Sequence, residues 1–373
     1  MNILQIVPQG EMRSGAAIQM YRLSKSLEKK GHKLFLIFRT PNEISKEDFT
    51  KNDMSGLNVT FMDLDRVKLN MKTLKSIKEL RKFIINNKID VVRSHKGSTN
   101  TLCVFAMLGL NIPVIANRGV INPLNFFNGL KYRTKFIDRT VAVSQVVKDV
   151  MVKTGSITPS KIDVIYGGVD IEIFKPGLHS TIREEYNISK DMFVIGFAGN
   201  AGPRKGLIYL AEAFKKIAEK HKEIVLIMVG VSEADKDKFG FNDEIKKRVY
   251  ALGFRHDVAN CMSGMDMFVF SGVAEEGLTG TVREAAAIGL PIITTDVAGN
   301  RELIKDDETG LVVPMKDSIA LEQAIEKIVG DKEKADRYGK NARKFVEENM
   351  SNEIRAEKIE KLYLEVISKR GAL

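Results

Sequence analysis

A chain of 373 residues is too long for one core of ordinary size and predicts two domains of roughly 150–180 residues each. Its composition, with 44% hydrophobic and 28% charged residues, is that of a globular protein. Two isolated cysteines, Cys103 and Cys261, exclude a disulfide framework and are typical of a reducing cytosol. The longest apolar stretch, residues 102–116, is broken by Asn111 and Pro113 and is too short to cross a bilayer.

The charge is unevenly distributed. Residues 1–167 hold 27 Lys and Arg against 13 Asp and Glu, a net of +14, and the remainder holds 31 against 35, a net of −4. An anionic membrane surface or a phosphorylated substrate accounts for this asymmetry, and a solvated Lys-rich helix is the simpler alternative. Nucleic acid is least favoured, because no nucleic-acid module accompanies the charge. No signal sequence precedes the first predicted strand, so we expect a cytoplasmic protein, or one peripheral on the inner face of the cell membrane.

Short apolar strands alternate with amphipathic helices in the first half, as a buried parallel sheet requires. Strands are predicted at 2–7, 33–38, 58–62, 89–94, 113–116, 139–143 and 162–165, and helices near 15–30, 71–86, 98–109 and 144–154. In the helix at 71–86 an apolar stripe is interpreted as the core face, leaving basic residues for solvent or lipid. The stripe is Met71, Leu74, Ile77, Leu80 and Ile84, and the basic residues include Lys72, Lys75 and Lys82.

The same alternation restarts at 193–198. It continues with helices near 206–220 and 243–251 and strands at 224–229, 267–270 and 291–295. The fold class is therefore predicted as α/β, with two Rossmann-like, doubly wound parallel-sheet domains. We place the N-terminal, acceptor-binding domain at 1–167, the C-terminal, nucleotide-sugar-binding domain at 168–351 and a terminal helix at 352–373.

One segment carries the strongest chemical signal. Between two apolar strands, Glu276 and Glu284 flank a Gly-rich loop and a short helix that Thr279 or Thr281 would cap and Gly289 would end. The free N–H groups and the dipole at that helix start form a cradle suited to a diphosphate. Each carboxylate suits a vicinal diol. The alternative is a surface loop with two solvated glutamates.

This motif, followed by Gly289-Leu290-Pro291, resembles retaining glycosyltransferase family 4, two-domain enzymes of the GT-B type that use nucleotide sugars. The resemblance implies a cleft between the domains, with Glu276 on the donor sugar and Glu284 on the ribose. It also implies that a nearby strand end contacts the nucleobase and that configuration at the anomeric carbon is retained. The other donor-binding residues predicted here are Gly277, Leu278, Thr281, Val282 and Phe254. The terminal helix, by the same resemblance, crosses back onto the first domain.

A second segment of the C-terminal half, residues 200–206, follows a predicted strand and opens a helix. It resembles the phosphate clamp of the family, and Lys205 matches the clamp lysine. Asn200 stands where the family has arginine, and Arg204 is the candidate replacement. Two cations there would stabilise the leaving diphosphate. A surface Arg-Lys turn is the alternative.

The N-terminal half resembles the family more loosely. Its loop at 9–17 resembles the Gly-rich loop that faces the donor phosphates, where Gly15 and Ala16 permit close approach of the backbone. Arg13 is predicted either to contact a phosphate or the acceptor, or to be a solvated loop residue.

The segment at 90–97 resembles an Asp-Val-Val-His-x-His element. His95 matches its second histidine and is predicted to be catalytic, while Arg93 replaces the first. A structural histidine is the alternative. Asn117 and Arg118 stand where many members of the family have histidine. Arg118 is a candidate to bind an anionic acceptor or a phosphate of the donor.

We therefore predict a metal-independent hexosyltransferase. It would move a sugar from a UDP- or GDP-linked donor to a cell-envelope glycolipid, polysaccharide or lipid-linked saccharide, with no cofactor and an anionic membrane surface as partner. The alternatives are a nucleotide-sugar epimerase and a non-catalytic sugar- or lipid-binding protein. Two Asp-x-Asp triplets, 63–65 and 235–237, offer a metal site, but neither is predicted in a Gly-rich loop at a sheet edge.

Overall fold

The computed structural model describes residues 1–8, 15–40, 54, 56–64, 70–274 and 277–371. It divides the chain into two α/β units. Unit 1 comprises Met1–Gly168 and Asn352–Leu373, and unit 2 comprises Val169–Ser351. These divisions lie within one residue of the predicted boundaries.

Unit 1 is built on a parallel sheet with the strand order β3-β2-β1-β4-β5-β6-β7. Its strands are β1 (Asn2–Val7), β2 (Lys33–Arg39), β3 (Asn58–Met62), β4 (Val91–Ser94), β5 (Val114–Arg118), β6 (Arg139–Ala142) and β7 (Ile162–Val164). Its helices are α1 (Gly15–Lys29), α2 (Met71–Asn86), α3 (Gly97–Ala106), α4 (Phe126–Arg133), α5 (Gln145–Gly155) and, from the end of the chain, α14 (Asn352–Gly371).

Helices cover both faces of this sheet, so its central strands are almost wholly apolar. Leu23 and Leu27 of α1 and Ile359 and Tyr363 of α14 form one core with the sheet. Helices α2 to α5 form the opposite core. The terminal helix thus completes a face of unit 1, where Arg370 pairs with Asp138 at 2.8 Å.

Unit 2 repeats the arrangement in a parallel sheet of order β10-β9-β8-β11-β12-β13. Its strands are β8 (Phe193–Ala198), β9 (Ile224–Val229), β10 (Val249–Ala251), β11 (Met267–Phe270), β12 (Ile292–Thr295) and β13 (Leu311–Val313). Its helices are α6 (Ile182–Glu185), α7 (Leu207–Lys220), α8 (Glu233–Lys236), α9 (Asp243–Lys246), α10 (Val258–Ser263), α11 (Gly280–Ile288), α12 (Ser318–Val329) and α13 (Lys332–Asn349). The α/β fold with two Rossmann-like sheets is confirmed.

Two predictions about secondary structure are wrong in part. The helix expected near 243–251 ends at Lys246, and Val249–Ala251 is instead strand β10, paired with β9. Its apolar side chains complete the sheet edge, which outweighs continuation of the helix. Only part of the apolar stripe on α2 packs against the core. Leu80 and Ile84 are buried, whereas Met71 and Leu74 are exposed.

Within the described ranges, none of the helices combines the length and apolar character needed to cross a bilayer.

Candidate active site

The position of the site in unit 2 follows from strand order. The chain leaves β8 towards β9 on one side and later returns to β11 on the other. In doubly wound sheets, ligands bind beyond the carboxyl ends of the strands at such a reversal. The loops that leave β8 and β11 there are residues 199–206 and 271–279, which are the two segments that the sequence analysis selected.

Hydrogen bonds join these two loops into one structure. The Ser271 hydroxyl donates to the Lys205 carbonyl at 3.0 Å, and the Val273 N–H donates to the Arg204 carbonyl at 2.9 Å. Gly206 lies between them with φ of +62°, and a Cβ there would lie 2.0 Å from the Ser271 carbonyl oxygen. Only glycine fits this position, so the contact fixes where Lys205 leaves the loop.

The Lys205 side chain runs across the end of the sheet. Its Nζ lies 5.2 Å from the centroid of the Phe270 ring, in a cation–π contact, and its Cδ passes Gly199. Lys205 is half-buried whereas its neighbour Arg204 is exposed. The buried stem and the ring contact hold the ammonium group of Lys205 near the reversal point.

Helix α11 follows the second of these loops in the chain. Thr279 precedes the helix without making a side-chain cap hydrogen bond, and Gly289 ends it in the left-handed conformation with φ of +87°, as predicted. The Thr281 hydroxyl is buried and has no partner among the described residues. An anion at this helix start would therefore meet backbone N–H groups and a hydroxyl donor.

Glu284 lies one turn further along α11 and is half-buried. It shares a helix face with Thr281, three residues earlier. The side chain of Val282 is wholly buried, so only its backbone can reach a ligand. Gly277 is buried and Leu278 is half-buried. Glu276 lies outside the described residues.

Asn300, which the sequence analysis missed, holds the Gly-rich loop in place. Its fully buried amide accepts from the Thr279 N–H at 3.0 Å and donates to the Thr294 hydroxyl at 3.0 Å. The Thr295 hydroxyl in turn donates to the Gly272 carbonyl at 2.6 Å. These bonds connect the start of α11 to the end of β12. No periodicity marks Asn300, and its position in a turn is the only signal in the sequence.

Arg283 also had no predicted role. The structure buries its side chain and turns the guanidinium back towards Gly280 at the start of α11, with an Nη atom 3.8 Å from the position of a Gly280 Cβ. This places a second positive charge under the helix start.

The strand ends beyond β8 form a continuous edge. The Gly230 N–H donates to the Gly253 carbonyl at 2.7 Å, and a Cβ on Gly230 would lie 2.6 Å from the Gly199 carbonyl oxygen. Phe254 follows with 61% of its surface exposed. Arg255 is held by Glu185 and Asp257, the former at 2.6 Å. Phe254 is therefore exposed at this turn, where its ring packs edge to face on His256 with centroids 4.8 Å apart.

In unit 1 the corresponding reversal lies between β1 and β4, where His95 follows β4. His95 is only 6% exposed, and its Nε2 donates to the Gln5 side-chain oxygen at 3.0 Å. Burial, with Arg93 and Arg355 nearby, holds the pKa of His95 well below its usual value. The imidazole is therefore neutral and fixed in orientation.

The neighbouring arginine is more deeply buried. Arg93 is 0% exposed, and one Nη donates to the Asn117 side-chain oxygen at 2.7 Å, while its Nε and other Nη have no partner among the described residues. Arg118 donates to the Asn122 carbonyl at the end of β5.

At the start of α1, a Cβ on Gly15 would meet nothing within 4 Å, so packing does not require glycine there. The side chain of Ala16 and the whole of Arg13 lie outside the described residues.

Comparison with known proteins identifies the family. The family model for glycosyl transferases group 1 matches residues 179–345, and the model for glycosyltransferase family 4 matches residues 13–173. The chain belongs to glycosyltransferase family 4.

A curated relative of this glycosyltransferase is UDP-Gal:alpha-D-GlcNAc-diphosphoundecaprenol alpha-1,3-galactosyltransferase of Escherichia coli. It is 27% identical over 314 residues, which cover 80% of this chain and 81% of the relative.

Solved structures share the GT-B fold. A glycosyltransferase of Rickettsia africae superposes with a TM-score of 0.86 at 22% identity and 98% coverage of both chains. Anabaena Alr3699/HepE in complex with UDP superposes with a TM-score of 0.83 at 18% identity, covering 98% of this chain and 100% of that one.

Proposed function

We propose that this glycosyltransferase moves a hexose from a UDP- or GDP-linked donor onto a saccharide of the cell envelope, with retention of anomeric configuration. The observation that carries the proposal is the joined pair of loops in unit 2, at the reversal of the sheet, one of which carries Lys205 while the other leads into α11. A cation, a helix N-terminus and an unpartnered hydroxyl together suit a diphosphate.

The donor would bind in a defined order along this edge. Lys205 and the first turn of α11 would hold the diphosphate, with the exposed Arg204 in reach of solvent-facing oxygens. Glu284, on the face shared with Thr281, would accept the ribose hydroxyls, and Glu276 would accept those of the sugar. The nucleobase would lie against the turn that carries Phe254, whose side chain is exposed.

The reaction follows from these contacts. The bond between the anomeric carbon and the diphosphate oxygen breaks, and that oxygen gains negative charge, which Lys205 stabilises more strongly in the transition state than in the bound donor. The acceptor hydroxyl forms the new bond on the same face, and its proton passes to the leaving phosphate. His95, buried and hydrogen-bonded to Gln5, would act by positioning the end of β4 rather than by contacting substrate.

The acceptor class is proposed from the relatives and from charge. The name of the Escherichia coli relative specifies a lipid-linked diphosphate acceptor. Residues 1–167 of this chain carry a net charge of +14, from 27 basic and 13 acidic residues. We therefore propose a lipid-linked or polysaccharide acceptor at an anionic, cytoplasm-facing membrane surface, which such a charge would attract.

The proposed chemistry uses no metal and no bound cofactor. Across the described residues there is no group of three His, Cys, Asp or Glu that could hold a metal ion. Asp235 pairs with Lys238 and Asp237 pairs with Lys246, while Asp63 pairs with Lys72 at 2.9 Å. Asp65 lies outside the described residues. Activity should therefore survive EDTA, and loss that manganese or magnesium restores would contradict this part of the proposal.

The test begins with binding. Thermal-shift and calorimetric titrations with a panel of nucleoside diphosphates and nucleotide sugars should identify one base and one sugar. Glu284→Ala should then weaken the binding of that ligand by about 1.5–3 kcal/mol, because a charged hydrogen-bond acceptor is lost. Unchanged affinity in a folded Glu284→Ala protein would remove the ribose role.

Turnover decides between the candidate functions. Slow release of nucleoside diphosphate from the selected donor, and faster release with acceptor, is expected for a transferase. Conversion of the donor to another nucleotide sugar would instead identify an epimerase. If the protein binds a nucleotide sugar but turns over no donor with any acceptor, it is a sugar-binding protein.

A further inference from the structure

Helix α4 presents a large apolar surface to solvent. Phe126 is 67% exposed, Phe127 is 80% exposed and Leu130 is 49% exposed, and Val120 in the preceding loop is 52% exposed. The two phenyl rings pack edge to face with centroids 5.7 Å apart. Contiguous exposed apolar side chains of this size mark binding surfaces on proteins.

The opposite side of α4 fixes this orientation. Gly129 is buried against α5, where an added Cβ would lie 2.9 Å from the Gly155 carbonyl oxygen, and Tyr132 is 2% exposed in the core of unit 1. The helix begins at Asn125, whose side chain accepts from the Asn128 N–H at 2.8 Å. The helix therefore cannot rotate to bury the phenyl rings without losing this packing.

The phenyl rings lie in a segment whose charged residues are all basic. From residue 91 to residue 137 the sequence contains six Lys and Arg and no Asp or Glu. The guanidinium of Arg133 lies 4.6 Å from the centroid of the Phe126 ring, and Lys135 is exposed next to it. Burial and the charge of Arg118 lower the pKa of Lys131, so two cations lie close together here. Among the described residues, neither Arg133 nor Lys135 forms a salt bridge.

Helix α2, the basic helix selected from the sequence, differs in this respect. Lys72 pairs with Asp63 at 2.9 Å and Lys75 lies 3.9 Å from Glu79. Its exposed apolar residues, Met71, Leu74 and Ile85, are aliphatic and are divided between its two ends. Carboxylates thus offset part of the charge on α2, whereas Arg133 and Lys135 have no carboxylate partner within the described part of the chain.

We propose that α4 docks unit 1 on an anionic lipid bilayer. Phe126, Phe127 and Leu130 enter the interface between headgroups and acyl chains, and Arg133 and Lys135 contact lipid phosphates. The partner follows from complementarity, since a surface that is both aromatic and basic matches a bilayer that is apolar inside and negative at its edge. The inference rests on the proposed function, because a lipid-linked acceptor lies in such a surface.

The test is co-sedimentation with phosphatidylcholine vesicles that either lack or contain phosphatidylglycerol, at low and high salt. The full chain should bind vesicles with phosphatidylglycerol, and salt should weaken the binding. Phe126→Ser/Phe127→Ser should lower the partition coefficient by about tenfold or more, because two phenyl groups no longer leave water. Arg133→Glu/Lys135→Glu should abolish the preference for anionic lipid.

Two control variants test whether vesicle binding depends specifically on α4. Ile319→Ser removes an apolar residue that is 54% exposed in unit 2 and should leave binding unchanged. Lys72→Glu/Lys75→Glu/Lys82→Glu tests α2 and should reduce binding less than the α4 variants. An equal or larger loss in the α2 variant, or wild-type binding by the double Phe variant, would overturn the inference. Binding that ignores phosphatidylglycerol would also overturn it.

Further readouts separate this inference from the proposed function. Donor affinity, measured without vesicles, should be the same in the α4 variants and the wild type. Loss of donor affinity would place the phenyl rings in the donor site and overturn the docking role. A wild-type dimer that the double Phe variant dissociates, seen by light scattering, would replace the bilayer with a second copy of the chain. If the wild type turns over donor but binds no vesicle, the inference fails while the proposed function stands.

Discussion

The two units share the same strand order around their first strands, but they use the reversal point differently. In unit 2, hydrogen bonds between the loops after β8 and β11 leave Lys205 half-buried and Phe254 exposed at the sheet edge. In unit 1, the end of β4 carries Arg93 and His95, both buried and both bonded to neighbouring amides. The edge in unit 2 leaves its polar groups partly exposed to solvent, and the edge in unit 1 buries them in the core.

This difference separates topology from chemistry. The parallel order brings two strand ends together in each unit. The side chains at those ends decide whether the position can bind a ligand or only stabilises the fold. Substitutions in the two units can test whether unit 2 holds the groups that react with the donor while those of unit 1 stabilise the fold.

The largest effect is expected at Lys205. Lys205→Ala should lower kcat by about 10²–10³-fold, since a positive charge aimed at the leaving group is lost. Its effect on donor affinity should be smaller, because the charge on the leaving oxygen grows as the bond breaks. Steady-state kinetics with the selected donor, together with donor titration, measure both quantities.

Arg204→Ala is the matched control, because Arg204 is adjacent but exposed. It should change kcat less than tenfold. If Lys205→Ala raises only the donor KM, the lysine binds without assisting departure, and equal effects at both positions would contradict the role assigned to the loop geometry.

Much of the fold was predictable because it depends on simple patterns. Strands β1, β2, β8 and β9 are mostly apolar runs of six or seven residues, and each lies where predicted. Strand β10 was missed because three residues are too short for a period to be read, and pairing with β9 decides its structure. Helix α4 was missed because its outer face is apolar, so it lacks the alternation that marks an amphipathic helix.

Part of the candidate site could also be inferred from the sequence. Lys205 and Glu284 stand in motifs with glycine and flanking strands, so their positions could be inferred from the sequence. Asn300 could not, because its contacts to Thr279 and Thr294 depend on how three loops meet. The burial of His95 likewise depends on helices from both ends of the chain, which no local pattern contains.

An intermediate effect is expected at Asn300. Asn300→Ala removes both of these buried hydrogen bonds, which should lower the free energy of unfolding by about 1–3 kcal/mol. Donor affinity should also fall, because the start of α11 is no longer held against β12. Urea unfolding and donor titration measure the two effects. Asn341→Ala is the control, since Asn341 makes an exposed bond to the Glu308 carbonyl, and equal losses in the two variants would contradict a specific role for Asn300.

The smallest effect concerns His95 and pH. Because the folded state holds the pKa of His95 well below its usual value, the unfolded chain takes up a proton as pH falls through about 6.5 while the folded chain does not. Stability should therefore decrease below about pH 6.5, by at most about 1.4 kcal/mol per pH unit. Unfolding of wild type and His95→Gln at about pH 7.5 and about pH 5.5 should show a shallower dependence in the variant. His179→Gln, at an exposed histidine, should retain the wild-type dependence, and an unchanged slope in His95→Gln would mean that His95 is protonated in the fold.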